Sequence, residues 1–188
     1  MDLLMTTQQK RIHPHKFTLW IAICSIVMMF AGLTSAYIIK RNQANWLSFD
    51  LPLIFWYSTA VIIISSITMK LSQKAFADRE MAKYRRLLMI TTVLGFCFLA
   101  MQVFGFYQLT QSGITLTKNV ASSFLYVLVG LHAAHVIAGV IALIIMMIKI
   151  FSSKTKNYSN VPVEMMSTYW HFVDILWIYL FVFLLAIR

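Results

Sequence analysis

The chain has 188 residues, 60% of them hydrophobic and 12% charged, with a mean hydropathy of +0.76 and a formal net charge of +10. No soluble domain of this size keeps such a composition in solution, so the chain reads as an integral membrane protein. Its cations sit in the loops between apolar runs, which excludes nucleic-acid binding as the meaning of the charge and makes it a report of membrane topology.

Five apolar segments follow one another: 17–39, 53–69, 87–107, 120–148 and 169–187. Each is near or above the ~20 residues an α-helix needs to cross ~30 Å of hydrocarbon, except the second, which is short. The runs are continuous rather than alternating, and a lipid-exposed backbone must satisfy its hydrogen bonds within one segment, so helices are expected and barrel strands are not. The fold class is therefore all-α, a polytopic bundle of five transmembrane helices. Residues 1–188 form a single transmembrane domain, without internal repeats or a loop long enough to fold alone.

The first segment follows sixteen mostly polar residues, is too long for a signal-peptide core and lacks a small-residue cleavage site before Lys40 and Arg41, so it is expected to remain as a span. Its Ala31, Gly32, Ser35 and Ala36, like Ser65 and Ser66 in the second segment, are small residues that let helices approach closely. Pro52 suits a first helical turn, Gly113 marks the turn after the third segment, and Pro162 can open the fifth helix before it enters lipid. Cys24 and Cys97 lie in apolar runs without a CxxC or a histidine at ligand spacing, and are read as buried small hydrophobes.

Five spans place the termini on opposite sides. The N-terminal tail and the second and fourth loops carry Lys10, Arg11, Lys16, Lys70, Lys74, Arg79, Lys83, Arg85, Arg86, Lys149, Lys154 and Lys156, while the other side carries Lys40, Arg41, Lys118 and Arg188. The positive-inside rule then puts the N-terminus in the cytoplasm and the C-terminus outside.

The polar residues inside the spans are few. On the fourth, "LVGLHAAHVIAGVIAL" places His132, His135, Gly139 and Ala142 within about 80° of one helix face. On the fifth, if the helix begins near Pro162, Glu164, Ser167, His171 and Asp174 share an arc of about 80° as well. A metal site, axial haem ligation and a proton relay are the sharp readings. HxxH and HxxD match neither the HExxH of metalloproteases nor the ExxH of di-iron bundles, and two histidines on one face of one helix do not make an axial pair. A transporter usually shows broken helices or charges on several spans, and here the first three spans carry no ionisable residue in their interiors apart from the two cysteines and edge tyrosines, with Gln102 the main polar exception. The favoured reading is a structural polar network: His132, His135, Glu164, His171 and Asp174 hydrogen-bond helices together, the fifth chiefly to the fourth near the cytoplasmic surface. Trp170 and Trp177 serve as anchors or packing groups. No nucleophile lies beside a base, and no glycine-rich phosphate loop is present.

The chain resembles subunit III of the haem-copper terminal oxidases, in the short five-helix bacterial form. The resemblance runs from about Lys16 to Ile187 and rests on "MMFAGLTSAYIIKR" (Met28 to Arg41), "SSITM" (Ser65 to Met69), Gln102 in "FLAMQ", "GLHAAHVIAG" (Gly130 to Gly139) and above all "YWHFVDILW" (Tyr169 to Trp177), with Glu164 five residues before that tyrosine. It implies a non-catalytic subunit of a proton-pumping oxidase in a bacterial cytoplasmic membrane, a component of an oxidoreductase complex that carries no catalytic residue, haem or copper of its own; those centres belong to partner subunits. It further implies contact with subunit I above all, with subunit II and subunit IV as additional partners, attachment to larger respiratory assemblies, support of proton uptake, and bound phospholipid, for which the polar residues above and Arg41 are candidate contacts. Cytochrome c is the favoured electron donor, a quinol the alternative; a small channel or transporter is the alternative from another class. Two positions depart from the family pattern. Ile26 after Ser25, and Gly105 three residues after Gln102, stand where many relatives carry glutamate, so a proton role for that intramembrane carboxylate does not carry over.

Overall fold

The computed structural model describes residues 14–41, 52–113, 120–152 and 160–187. Among them are five α-helices: α1 Pro14–Arg41, α2 Ile54–Ala77, α3 Met81–Gln111, α4 Val120–Ser152 and α5 Val161–Ala186. All five are long and apolar enough to cross a membrane. Large apolar side chains cover the outer faces, Met28 at 76% and Val103 at 69% exposure among them, as lipid or a partner subunit requires and water forbids.

The helices outrun the apolar segments at most ends. The second, expected to be short, has 24 residues, and the third starts at Met81, well before the apolar run opens at Leu87. Hydropathy marks only the part of a helix that lies in hydrocarbon; backbone hydrogen bonding carries the helix on through Lys70, Gln73 and Lys74, and again through Lys83, Arg85 and Arg86, whose polar ends reach water. α5 does open at Pro162, one of its first two residues. Pro52 lies just ahead of α2 rather than inside it, its carbonyl accepting the Phe55 N–H at 3.1 Å.

α2 and α3 are joined by a turn of three residues. Arg79 takes a positive φ of 62°, the Glu80 N–H reaches the Ala75 carbonyl at 2.9 Å and the Arg79 N–H that of Phe76 at 3.1 Å. These two bonds form a Schellman motif that closes α2 with arginine where glycine is usual. The turn forces a close antiparallel hairpin. Phe76 meets Tyr84 edge-on at 4.9 Å, the Thr68 and Thr91 hydroxyls pair at 2.9 Å, and Phe55 packs against Gly105.

α2, α3, α4 and α5 form a closed ring in which each touches two neighbours; α1 stands outside it, touching α4 and α5. Two tryptophans of α5 fill the centre, each 1% exposed. The Trp170 indole lies between two glycines: a methyl group at Gly95 of α3 would sit 3.0 Å from its Cη2, and one at Gly139 of α4 would sit 3.0 Å from its Cζ3. One heptad on, Trp177 packs edge-on to Phe98 at 5.1 Å and near-parallel to Phe55 at 6.1 Å.

Two expectations fail. Cys24 and Cys97 are exposed, each one residue along from the inward-facing Ile23 and Phe98 and so turned about 100° away from the core. Ala31, Gly32 and Ser35 also face outward, and a methyl group at Gly32 would meet nothing within 4 Å. The core-facing side of α1 instead carries the bulky Phe30 and Tyr37. Lys10, Arg11, Lys118, Lys154, Lys156 and Arg188, used in the charge asymmetry, lie outside the described residues.

The glycines give a sharp contrast to measure. Gly139→Ala, pressed against two rigid aromatic rings, is expected to cost about 1–3 kcal/mol in thermal unfolding of the detergent-solubilised protein. Gly32→Ala is expected to leave the transition where it is.

Candidate functional site

Buried polar residues occur on every helix, and those of α2 are all hydroxyls. Its hydroxyls recur at seven-residue intervals, Ser58, Ser65 and Ser72 in one row and Thr59 and Ser66 in the next, where Gln73 completes the period. Two rows at this spacing stay on one side of a helix over four turns. Ser58 donates to the Phe55 carbonyl at 2.9 Å and Thr59 to the same carbonyl at 2.7 Å, which leaves each oxygen free to accept a bond from a neighbouring helix.

The neighbours supply the donors in antiparallel order. Gln102 of α3 donates its amide to Ser58 at 3.1 Å. From α5, Trp177 donates to Thr59 at 3.0 Å, Trp170 donates to Ser65 at 3.1 Å, and His171 Nδ1 lies 2.6 Å from the Ser66 hydroxyl. Ser167 donates to the Gln73 side-chain oxygen at 2.8 Å. The result is a seam of single hydrogen bonds between α2 and α5, each joining side chains that would otherwise be costly to bury.

The nine residues singled out in the sequence therefore separate. Trp170, His171, Trp177 and Gln102 join the α2 seam. Asp174, 3% exposed, faces the same Ser66, although neither carboxylate oxygen has a hydrogen-bond partner of normal geometry. His132 is fully buried with neither ring nitrogen bonded; its imidazole lies 5.1 Å from Trp177 and edge-on to Phe98 at 6.0 Å, and so belongs to the aromatic filling. His135 turns toward α1. Its Nδ1 is 2.7 Å from the Leu131 carbonyl of its own helix, its ring meets Phe30 edge-on at 5.9 Å, and its carbonyl accepts the Tyr169 hydroxyl at 3.0 Å. Glu164 sits at one end of the bundle, paired with Lys16 of α1 at 2.5 Å. Arg41 ends α1 at the opposite end.

The expected partner of the fifth helix is thus corrected: Ser167, Trp170, His171 and Trp177 of α5 bond to α2, while its contact with α4 is built on Gly139 and rings, with one hydrogen bond from the Tyr169 hydroxyl to the His135 carbonyl. The fourth helix offers imidazoles, which are bulky and compete for space with the indoles, whereas the second offers hydroxyls small enough to let the indole N–H groups arrive. Sequence reading missed Ser58, Thr59 and Gln73 as partners, and the signal that could have found them was the seven-residue period itself.

Among the described residues no three His, Cys, Asp or Glu side chains converge in a way that could hold a metal ion. The interior is suited to holding helices at a fixed separation. Near one end, however, the surface opens into a groove of about 780 Å³ between α1, α4 and α5. Leu19, Ala138, Ala142, Met146, Met165 and Tyr169 form its apolar walls, and Lys149 stands at its end.

A double-mutant cycle tests the seam. Ser65→Ala and Trp170→Phe are expected to couple by roughly 0.5–1.5 kcal/mol in thermal unfolding, the range of interhelical hydrogen bonds in membranes. A coupling indistinguishable from zero would show that the bond does not hold the helices.

Comparison with known proteins places the chain among relatives. Residues 12–187 match the family model described as cytochrome c oxidase subunit III. The chain is 33% identical over 180 residues to the probable cytochrome c oxidase subunit 3 of Nocardia farcinica, covering 90% of this chain and 85% of that protein. It is 31% identical over 163 residues to the cytochrome c oxidase subunit 3 of Corynebacterium diphtheriae, covering 83% and 80%, and 29% identical over 168 residues to that of Bacillus subtilis, covering 86% and 81%.

Proposed function

The chain belongs to the cytochrome c oxidase subunit III family, and from that membership we propose that it is a non-catalytic, multi-pass subunit that braces the catalytic subunit of a cytochrome c-oxidising, proton-pumping oxidase. Subunit III works within an oxidase complex, so its partners are the other oxidase subunits. The observation that carries the reading is the match over residues 12–187, nearly the whole chain. The solid interior supports it, because a ring plugged by Trp170 and Trp177 offers a scaffold rather than a passage. Electron transfer and oxygen reduction take place on the haem and copper of partner subunits. Subunit I is the main contact, with subunits II and IV beyond it.

Support of proton uptake, on this reading, comes from holding the catalytic subunit in shape. Where many relatives carry glutamate, Gly105 is buried against Ile54 and Phe55, and a methyl group there would lie 3.1 Å from both side chains. Ile26 is half-buried among apolar neighbours. Neither position leaves this chain the corresponding intramembrane carboxylate. The membrane is the cytoplasmic membrane of a bacterium, with the Lys16 and Glu164 end of the bundle inside.

The groove between α1, α4 and α5 is the proposed lipid site. Its walls are apolar, its volume lies within the ~300–1,000 Å³ of ordinary ligand pockets, and the Lys149 ammonium at its end complements a phosphate headgroup in the cytoplasmic leaflet.

Two experiments check these statements. A tag on this chain is expected to bring down a larger haem-bearing subunit from solubilised membranes, with the reduced-minus-oxidised spectrum of an oxidase, while the chain freed of partners shows no haem absorbance; recovery of the chain alone, or haem on the chain itself, overturns the proposal. Ala138→Phe, which fills the groove from an exposed position, is expected to lower the phospholipid retained per complex by about one molecule, the capacity expected of one pocket of this size.

A further inference from the structure

α1 and α2 both pack on α5 and do not touch each other. Between them a strip of α5 lies uncovered as the floor of a trough, with Ile175 at 65%, Val182 at 56% and Ile178 at 37% exposure. On the α2 wall, the exposed Ile63 and Lys70 stand about one turn to either side of Ser66 and so share its side of the helix. One polar group reaches this apolar surface. The half-buried His171 spends Nδ1 on the Ser66 hydroxyl at 2.6 Å, while its Nε2 has no hydrogen-bond partner among the described residues and is not enclosed by them. His135, the other half-buried imidazole, instead packs edge-on to Phe30 of α1. Lys70 is near enough to His171 to act on it electrostatically, and no carboxylate among the described residues pairs with that lysine. Asp174 is buried and faces Ser66 from the interior, and Glu164, on the same strip nearer the helix end, is held by Lys16.

We infer that this trough is the docking surface for a transmembrane helix of a partner oxidase subunit, one that presents a carboxylate at the level of His171 and Lys70. The inference rests on the proposed function and deepens it, since it assigns the face by which the chain braces its partner. Lipid is the competing occupant, and depth decides against it. His171 and Ser66 lie ~15 Å from the Val161 and Ala77 ends of their helices at about 1.5 Å per residue, close to the middle of ~30 Å of hydrocarbon. A headgroup phosphate does not reach that level, and an acyl chain would leave Nε2 unpaired in an apolar medium. A helix supplies both the apolar filling and the missing partner. Its complement is acidic because Nε2 and the Lys70 ammonium meet on this face with no free anion of the chain's own beside them. Opposite a carboxylate, the imidazole takes the tautomer with its proton on Nε2, and Ser66 donates to Nδ1.

The test uses the intact oxidase complex in its own membrane. A photoreactive benzoylphenylalanine placed at Ile175 is expected, on illumination, to join the chain to a transmembrane helix of a partner subunit, and sequencing of the adduct is expected to find an Asp or Glu within that helix. The same label at Phe96, 51% exposed on α3, is expected to give less of that adduct. Lys70→Gln and His171→Gln are each expected to lower the fraction of the chain that stays with its partner through detergent purification about three- to tenfold, as the loss of an interhelical hydrogen bond does. His171→Gln also disturbs the Ser66 bond within the chain, so Ile175→Trp, which fills the trough from an exposed position, is the second variant and is expected to lower retention as well. Lipid adducts alone from Ile175, an adduct helix without an acidic residue, or retention unmoved by Lys70→Gln and Ile175→Trp, in a complex that still holds its haem-bearing subunit, overturns the docking surface and leaves the proposed function standing. If the unaltered chain purifies without any haem-bearing subunit, the proposed function falls and the docking surface with it.

Discussion

A flat, rigid ring with one polar atom has to be buried on three helices at once, and the rest of the bundle is arranged around that demand. The Trp170 indole needs room around its six-membered ring, which Gly95 of α3 and Gly139 of α4 provide, and an acceptor for its N–H, which Ser65 of α2 provides. No two of the three helices can shift along their axes without either driving a Cα hydrogen into the ring or leaving the N–H unpaired in an apolar interior, where an unmade bond costs about 1–3 kcal/mol. Trp177 repeats the arrangement seven residues on, with Thr59 as acceptor and the rings of Phe55, Phe98 and His132 as walls. Two such points separated along one helix axis fix both height and rotation, so the register of the ring follows from α5 and the sequence of α2.

That filling limits what the interior can hold. Among the described residues the centre is occupied by indoles and phenyl rings, and Ser58, Ser65, Gln102 and Ser167 spend their buried polar atoms on bonds between neighbouring helices, while His132 and Asp174 have none. The contrast at Gly105 is instructive: the space that a longer side chain would need is taken by Phe55, whose ring also packs against Trp177. Placing an acidic side chain at Gly105 would require displacing part of the aromatic column. The outward faces, rich in large apolar side chains, are then the parts left to meet lipid and the partner subunits of the oxidase.

How far this was legible in the sequence depends on the scale of the question. Five helices followed from continuous apolar runs, since hydrocarbon leaves the backbone no alternative. Their ends did not follow, because the polar turns at Lys70–Ala77 and Met81–Arg86 continue the helix into water, where hydropathy is silent. The inward stripe of α5 was visible as an arc containing Ser167, His171 and Asp174, but an arc names a face and not a neighbour. The choice between α2 and α4 turned on side-chain size: Ser65, Ser66 and Thr59 admit an indole edge, while His132 and His135 do not. The small residues of α1 misled for a related reason. Ala31, Gly32 and Ser35 look suited to close packing, yet the large side chains Phe30 and Tyr37 on the other face bury more area and draw that face inward. The misplaced cysteines follow from the same logic, since an apolar residue in a membrane span has two favourable environments and composition cannot choose between them.

The position of α1 shows where this kind of packing stops. In water an exposed apolar groove between helices would close, because its walls gain by leaving solvent; in a bilayer the walls are already in an apolar medium and gain only the difference between protein and lipid contacts. A groove of about 780 Å³ can therefore persist beside a tightly packed ring without contradiction. Polar contacts inherit the work of orientation: the hydrogen bond between Thr34 and Tyr179 toward one end of α1, the Lys16–Glu164 pair at the other. The first joins the buried Thr34 to a half-exposed tyrosine stacked on Phe183, and the second is likewise partly exposed. The helix is consequently set by one polar contact toward each end, to Tyr179 within the span and to the first turn of α5, while the groove beside α4 stays open.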